Sequence, residues 1–218
     1  FTGAGGTATN DIASGTLSSI AGITFDAAAG AYTLAANAGS AGASGGTALI
    51  VKGDISNNSA NAQTINMAMA FGGSSTGAIN ATSGNITISG AISGTGSLSK
   101  AGNSTLTLSG ANTYSGATTV SAGTLTLNGG SAILDTGAVT VSSGAVLNLG
   151  ASETVGSIAG AGNIALGSYT LTSGGANSST TLSGIISGTG GMTKNGTGTL
   201  TLSGANTYTG ITTINTGT

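Results

Sequence analysis

The sequence uses one phrase twice. Residues 90–124 read GAISGTGSLSKAGNSTLTLSGANTYSGATTVSAGT, and residues 184–218 read GIISGTGGMTKNGTGTLTLSGANTYTGITTINTGT. The offset is 94 residues without a gap, and 23 of the 35 aligned positions are identical. Several of the differences keep residue class: Leu98 stands opposite Met192, Val120 opposite Ile214, Ser99 opposite Thr193 and Ser115 opposite Thr209. Self-similarity inside one chain marks a repeat architecture, in which each unit buries its apolar side against its neighbour. A chain built this way is long and stacked.

Within each copy the run TLTLSG alternates strictly, at Thr105 to Gly110 and again at Thr199 to Gly204. Alternation of period two is that of a strand with one buried face, so Leu106 and Leu108 point one way and Thr105 and Thr107 the other. The same reading faces Leu200 and Leu202 inward. The threonines are β-branched and suit a pleated outer surface. Gly110 and Gly204 end the runs at turns, and GTLTL at 123–127 starts the next strand soon after. Strands this short make a core only when stacked turn upon turn. Turns of about 20 residues rising about 4.8 Å would give about ten turns and a rod on the order of 50 Å, with the 94-residue offset spanning four or five turns. Further strands are expected at Thr47–Val51, Thr64–Phe71, Asn85–Ser89, Ala138–Val141, Ala145–Leu149, Asn163–Leu166 and Ser168–Leu171. Met67, Met69 and Phe71 alternate inward, and Phe25 and Tyr32 fill the core near an irregular first turn.

The phrase SGTGSLSKAGNSTLTLSGANTYSGATTVSAGTLTL resembles the autotransporter-associated β-strand repeat of secreted bacterial passenger regions. The first copy matches at Gly94, Gly96, Lys100, Gly102, Leu106, Leu108, Gly110, Asn112, Tyr114, Gly116 and Gly123. The second matches at Gly188, Gly190, Lys194, Gly196, Gly198, Leu200, Leu202, Gly204, Asn206, Tyr208 and Gly210. The first copy departs at Ser104, where the second has Gly198. The resemblance implies an exported protein, found extracellularly or at the bacterial cell surface, that crosses membranes unfolded. It names an architecture and no activity.

Composition narrows the function. With 42 Gly among 218 residues, no Pro and only 4% charge, a flexible linker is the bland alternative, but disorder pairs low hydrophobicity with high net charge. Here the apolar fraction is 38%, in alternation, and the net charge is −2. Three Lys and no Arg or His leave no basic patch for nucleic acid. No apolar run is long enough for a transmembrane helix. Without His or Cys there is no imidazole base and no thiol nucleophile.

The acidic residues are Asp11, Asp26, Asp54, Asp135 and Glu153, too scattered for a calcium site. Asp135 and Glu153 lie 18 residues apart and could stack as a glycosidase-like pair, but solvated turn charges are the simpler reading. Lys100 and Lys194 read as solvated charges that discourage lateral strand pairing. Asn112 and Asn206 are expected to bond local backbone or stack as partial ladders, with Tyr114 and Tyr208 closing the same corner. The GxG pairs Gly94/Gly96 and Gly188/Gly190 are turns, since no Lys-Ser/Thr of a phosphate loop follows them. Thr-x-Thr at 105/107, 124/126 and 199/201 resembles ice-binding faces, which need the motif on every turn.

The expectation is therefore an all-β chain, a right-handed parallel β-helix (β-solenoid) running as one continuous domain over residues 1–218, with full motifs at 90–127 and 184–218. Both ends read as cut from a longer protein. Its role would be a rigid stalk, spacer or fibre building block, not an enzyme, with no catalytic, cofactor or metal residues. End-to-end self-association and cell-surface or matrix contact are the partners expected. An adhesin-type binding face, or less favourably an ice-binding one, is the alternative.

Overall fold

The computed structural model describes residues 1–10, 19–36, 48–72 and 76–218, which leaves Asp11 and Thr47 outside the described residues. Among the described residues every regular element is a strand and every strand pairing is parallel. The chain winds as a β-solenoid of about eight turns with three faces. Face one is a nine-stranded sheet from Gly6–Asn10 to Ile186–Ser187, and face three a nine-stranded sheet from Ile23–Phe25 to Leu200–Leu202. Face two is broken. It holds one four-stranded sheet ending at Ile92–Gly94 and a second beginning at Glu153–Val155, with two strandless turns, 109–117 and 128–137, between them.

The core follows from the alternation. On face one, Ile86, Leu106, Leu125, Leu147 and Ile164 stand in register in one inner column, and Ile65, Ile88, Leu108, Leu127 and Leu149 in the next. All are buried, each contributing about 1.5–3 kcal/mol of apolar transfer. Met67, Met69, Phe71 and Phe25 also lie in the core, as expected, with Tyr32 packed partly buried against it. Leu200 and Leu202 face inward but are only partly covered.

Three expectations need correction. The stretch 64–71 is two strands, Gln63–Ile65 and Met69–Phe71, because a corner between them carries the chain from face one to face two. The strand placed at 168–171 is Leu171–Ser173, since Gly167 turns the backbone at φ +58° and the chain straightens only at Leu171. The turn count falls short of ten because early turns are long. Gly6 pairs with Tyr32 and Thr33 with Thr64, whereas Thr87 pairs with Thr107 at the shorter spacing the motif implies.

The 94-residue offset is not a whole number of turns. In the first copy, 92–94 lies on face two, 97–101 on face three, 105–108 on face one and 118–120 on face three. In the second copy the corresponding strands lie on faces one, two, three and two. Every part of the motif has moved back by one face, so the offset spans about four and two-thirds turns. The motif recognises its neighbours in adjacent turns, not a side of the rod.

Candidate functional site

The polar groups inside this narrow column concentrate at the corners and on the broken face. Lys100 sits in the inner column of face three, between Ile79 and Val120, with no exposed surface. Its Nζ donates to the carbonyls of Ala101 (2.9 Å) and Gly102 (2.8 Å) at its own corner and Ala122 (3.0 Å) at the corner one turn on. Burial lowers its pKa to about 8. Lys194, on face two, donates to the carbonyls of Asn195, Gly196 and Thr216 in the same arrangement. The reading of these lysines as solvated charges is wrong: each ammonium is an internal staple between successive turns. Gly102 makes the corner possible. Its φ is +77°, and a Cβ there would stand 2.4 Å from the Ala81 carbonyl oxygen.

Asn112 and Asn206 also work between turns and not on local backbone. The Oδ1 of Asn112 accepts from the Ile92 amide at 2.8 Å, and its Nδ2 donates to the Ala132 carbonyl at 2.8 Å. Asn206 Oδ1 accepts from the Ile186 amide at 2.9 Å. The two asparagines lie on different faces and form no common ladder. Tyr114 fills the interior of the first strandless turn, its hydroxyl paired with Thr118 Oγ1 at 2.7 Å and its ring edge-on to Phe71. Tyr208 repeats that pairing with Thr212 at 2.6 Å, so both tyrosines close the corner, as expected. Burial holds the Tyr114 phenol neutral, its pKa pushed up to about 12.

Glu153 is likewise internal, 2% exposed, at the point where strands resume on face two. Its Oε1 accepts from the Ile133 amide at 2.9 Å and its Oε2 from the Ala132 amide at 3.2 Å. Desolvation raises its pKa to about 7 against those two bonds, and the Asp135 charge adds to the rise. Asp135 itself is exposed, so Glu153 is not the solvated charge expected while Asp135 is. A second network, missed in the sequence, fills the corner around Asn57, Ser59 and Gln63. Asn57 Nδ2 donates to the carbonyls of Asn61 and Asn85, and Gln63 joins the Tyr32 amide to the Gly30 carbonyl. Among the described residues no buried side-chain polar atom lacks a partner. None gathers three or more metal-ligating side chains.

The outer surface carries threonine. On face one Thr7, Thr33, Thr64, Thr87, Thr107 and Thr126 stand in register, followed by Asn148. Of the three Thr-x-Thr pairs singled out in the sequence, 105/107 and 124/126 fall on adjacent turns of that face and 199/201 runs onto face three. Face two carries its own column of Thr154, Thr172, Thr193 and Thr213. Residues 98–127 and 192–218 match a family model described as the passenger-associated-transport-repeat. No curated protein and no solved structure matches the chain.

Proposed function

We propose that this chain, which carries two copies of the passenger-associated-transport-repeat, is a rigid spacer in the passenger region of a secreted or surface-attached bacterial protein. One observation carries the reading: every buried polar side-chain atom described has a partner inside the rod, several of them in the neighbouring turn, so the interior chemistry is internal bonding and none is left facing a ligand. Backbone ladders along the axis and an unbroken apolar column then give stiffness without disulfides or metal. The molecule acts by length. It is read as non-enzymatic, since the Glu153 carboxylate faces backbone amides while Asp135 faces solvent. Fibre building through end-to-end association is the natural extension of a stacked architecture. Electron microscopy of the native, undigested material tests the reading. Isolated rods rooted at a cell surface support a spacer, filaments with a subunit-length axial repeat support a fibre, and compact particles would end both.

The six-turn threonine column favours one second reading, a binding module using face one. Thr columns on another face point to β propensity as their common cause, which is why this reading ranks second. Ice-recrystallisation and glycan-binding assays decide it, and activity lost on Thr87→Lys with an unchanged melting curve would establish the face.

A further inference from the structure

We propose that the broken second face is a pH-responsive joint in the rod, closed in mildly acidic medium and loosened as Glu153 ionises. Faces one and three run unbroken past this level, so they hold the two halves together whatever face two does. On face two the connection thins stepwise. The turn 109–117 still bonds downward through backbone, the Thr113 amide to the Ile92 carbonyl at 2.8 Å and the Ser115 amide to the Gly94 carbonyl at 3.0 Å. Between 109–117 and 128–137 the ties are the Asn112 amide to the Ser131 carbonyl and the Asn112 side chain to the Ala132 carbonyl. Above that, the Gly156 amide bonds the Gly137 carbonyl at the far corner (2.8 Å), while within the turn the Ile133 amide finds no strand and ends on the Glu153 carboxyl, which the Ala132 amide also reaches at 3.2 Å beside its 2.9 Å bond to the Gly129 carbonyl. A single titratable side chain stands where a strand's backbone carbonyls would be.

The surroundings set the direction. Glu153 occupies the inner column in register with Leu171 and Met192, so an ionised carboxyl there is a charge in an apolar lining. The titratable groups facing it are Tyr114 from the turn 109–117 and Asp135 from the turn 128–137, and neither brings a positive charge. The strand above, Leu171–Ser173, has no titratable side chain. A proton on Oε2 gives up the longer bond, from Ala132, and leaves the 2.9 Å bond from Ile133 in place. The protonated acid thus keeps the turn closed at the loss of its weaker tie. The anion keeps both ties but without solvation, and opening the turn to water relieves it.

Hydrogen exchange on the full chain tests this. With Glu153 titrating at about 7 when closed and near 4.5 when open, opening of the Ile133 amide should rise about forty-fold from pH 5 to pH 7, after correction for intrinsic exchange. Amides of the unbroken faces, such as Leu147 and Val141, should show no such rise. Glu153→Gln should make the Ile133 amide pH-independent, and carbon NMR of the wild-type Glu153 carboxyl should give a midpoint near 7. A carboxyl midpoint near 4.5, or wild-type protection at Ile133 that does not change with pH, overturns the proposal. The NMR titration needs no variant, so a misfolded Glu153→Gln does not rescue the idea.

Discussion

Lys100 illustrates how a charged residue becomes structural in a packed column. Three carbonyls satisfy its three N–H groups, so the ammonium replaces an apolar side chain without leaving a donor unpaired. Lys100→Met should destabilise the fold by about 2–3 kcal/mol, read as a lower urea midpoint with unchanged slope, because three carbonyls lose a charged donor. The pH dependence of stability has two limbs. The folded pKa of Glu153 is raised, so its contribution is full below pH 4.5 and is lost as pH rises through 7. The folded pKa of Lys100 is lowered, so the unfolded chain holds the extra proton between pH 8 and 10.5 and stability recovers across that window. Melting temperatures by circular dichroism should therefore pass through a minimum near pH 7–8. Glu153→Gln should flatten the acid limb and Lys100→Met the alkaline one. These inward positions were legible in principle: Leu98-Ser99-Lys100, Met192-Thr193-Lys194 and Glu153-Thr154-Val155 each put the charge on the same parity as a core residue. The rule that charges face water outweighed the alternation, and it fails where backbone groups of the next turn stand ready as partners.

At the scale of the strand, alternation decides burial, and position in the stack decides what burial contributes. Leu106 is fully buried between Ile86 and Leu125, whereas its counterpart Leu200 is only partly covered. Leu106→Asp should abolish the cooperative melt, because it places an unpaired charge between two covered leucine-like neighbours. Leu200→Asp should lower the melting temperature and leave the circular dichroism spectrum of the rod intact. Equal damage from both would mean that the last turn is as well covered as the middle ones. Strand locations were largely legible, since Ala138–Val141 and Thr105–Leu108 fall where the pattern puts them. Corners inside apolar runs were not. Nothing between Thr64 and Phe71 breaks the hydrophobic pattern, and the bend at residues 66–68 is imposed by the face the chain must reach next.

For the molecule as a whole, the useful quantity is the 94-residue period. Deleting residues 94–187 joins the two motifs at matching positions and removes about four and two-thirds turns, so the rod should keep its β spectrum and shorten by about 22 Å. Small-angle scattering measures that change in maximum dimension, and a collapse to an unfolded profile would show that the intervening turns are required for folding. Sequence alone determined the repeat, the inward and outward residues of each strand, and hence a stacked all-β rod, because those follow from period-two alternation and glycine turns read locally. Only the tertiary structure decided that the second copy sits one face behind the first, that face two breaks for two turns, and that Lys100, Asn112 and Glu153 each tie one turn to another. Those outcomes depend on the summed length of every intervening turn. A difference of a few residues at one corner moves all later strands to another face, and no local pattern in the chain carries that sum.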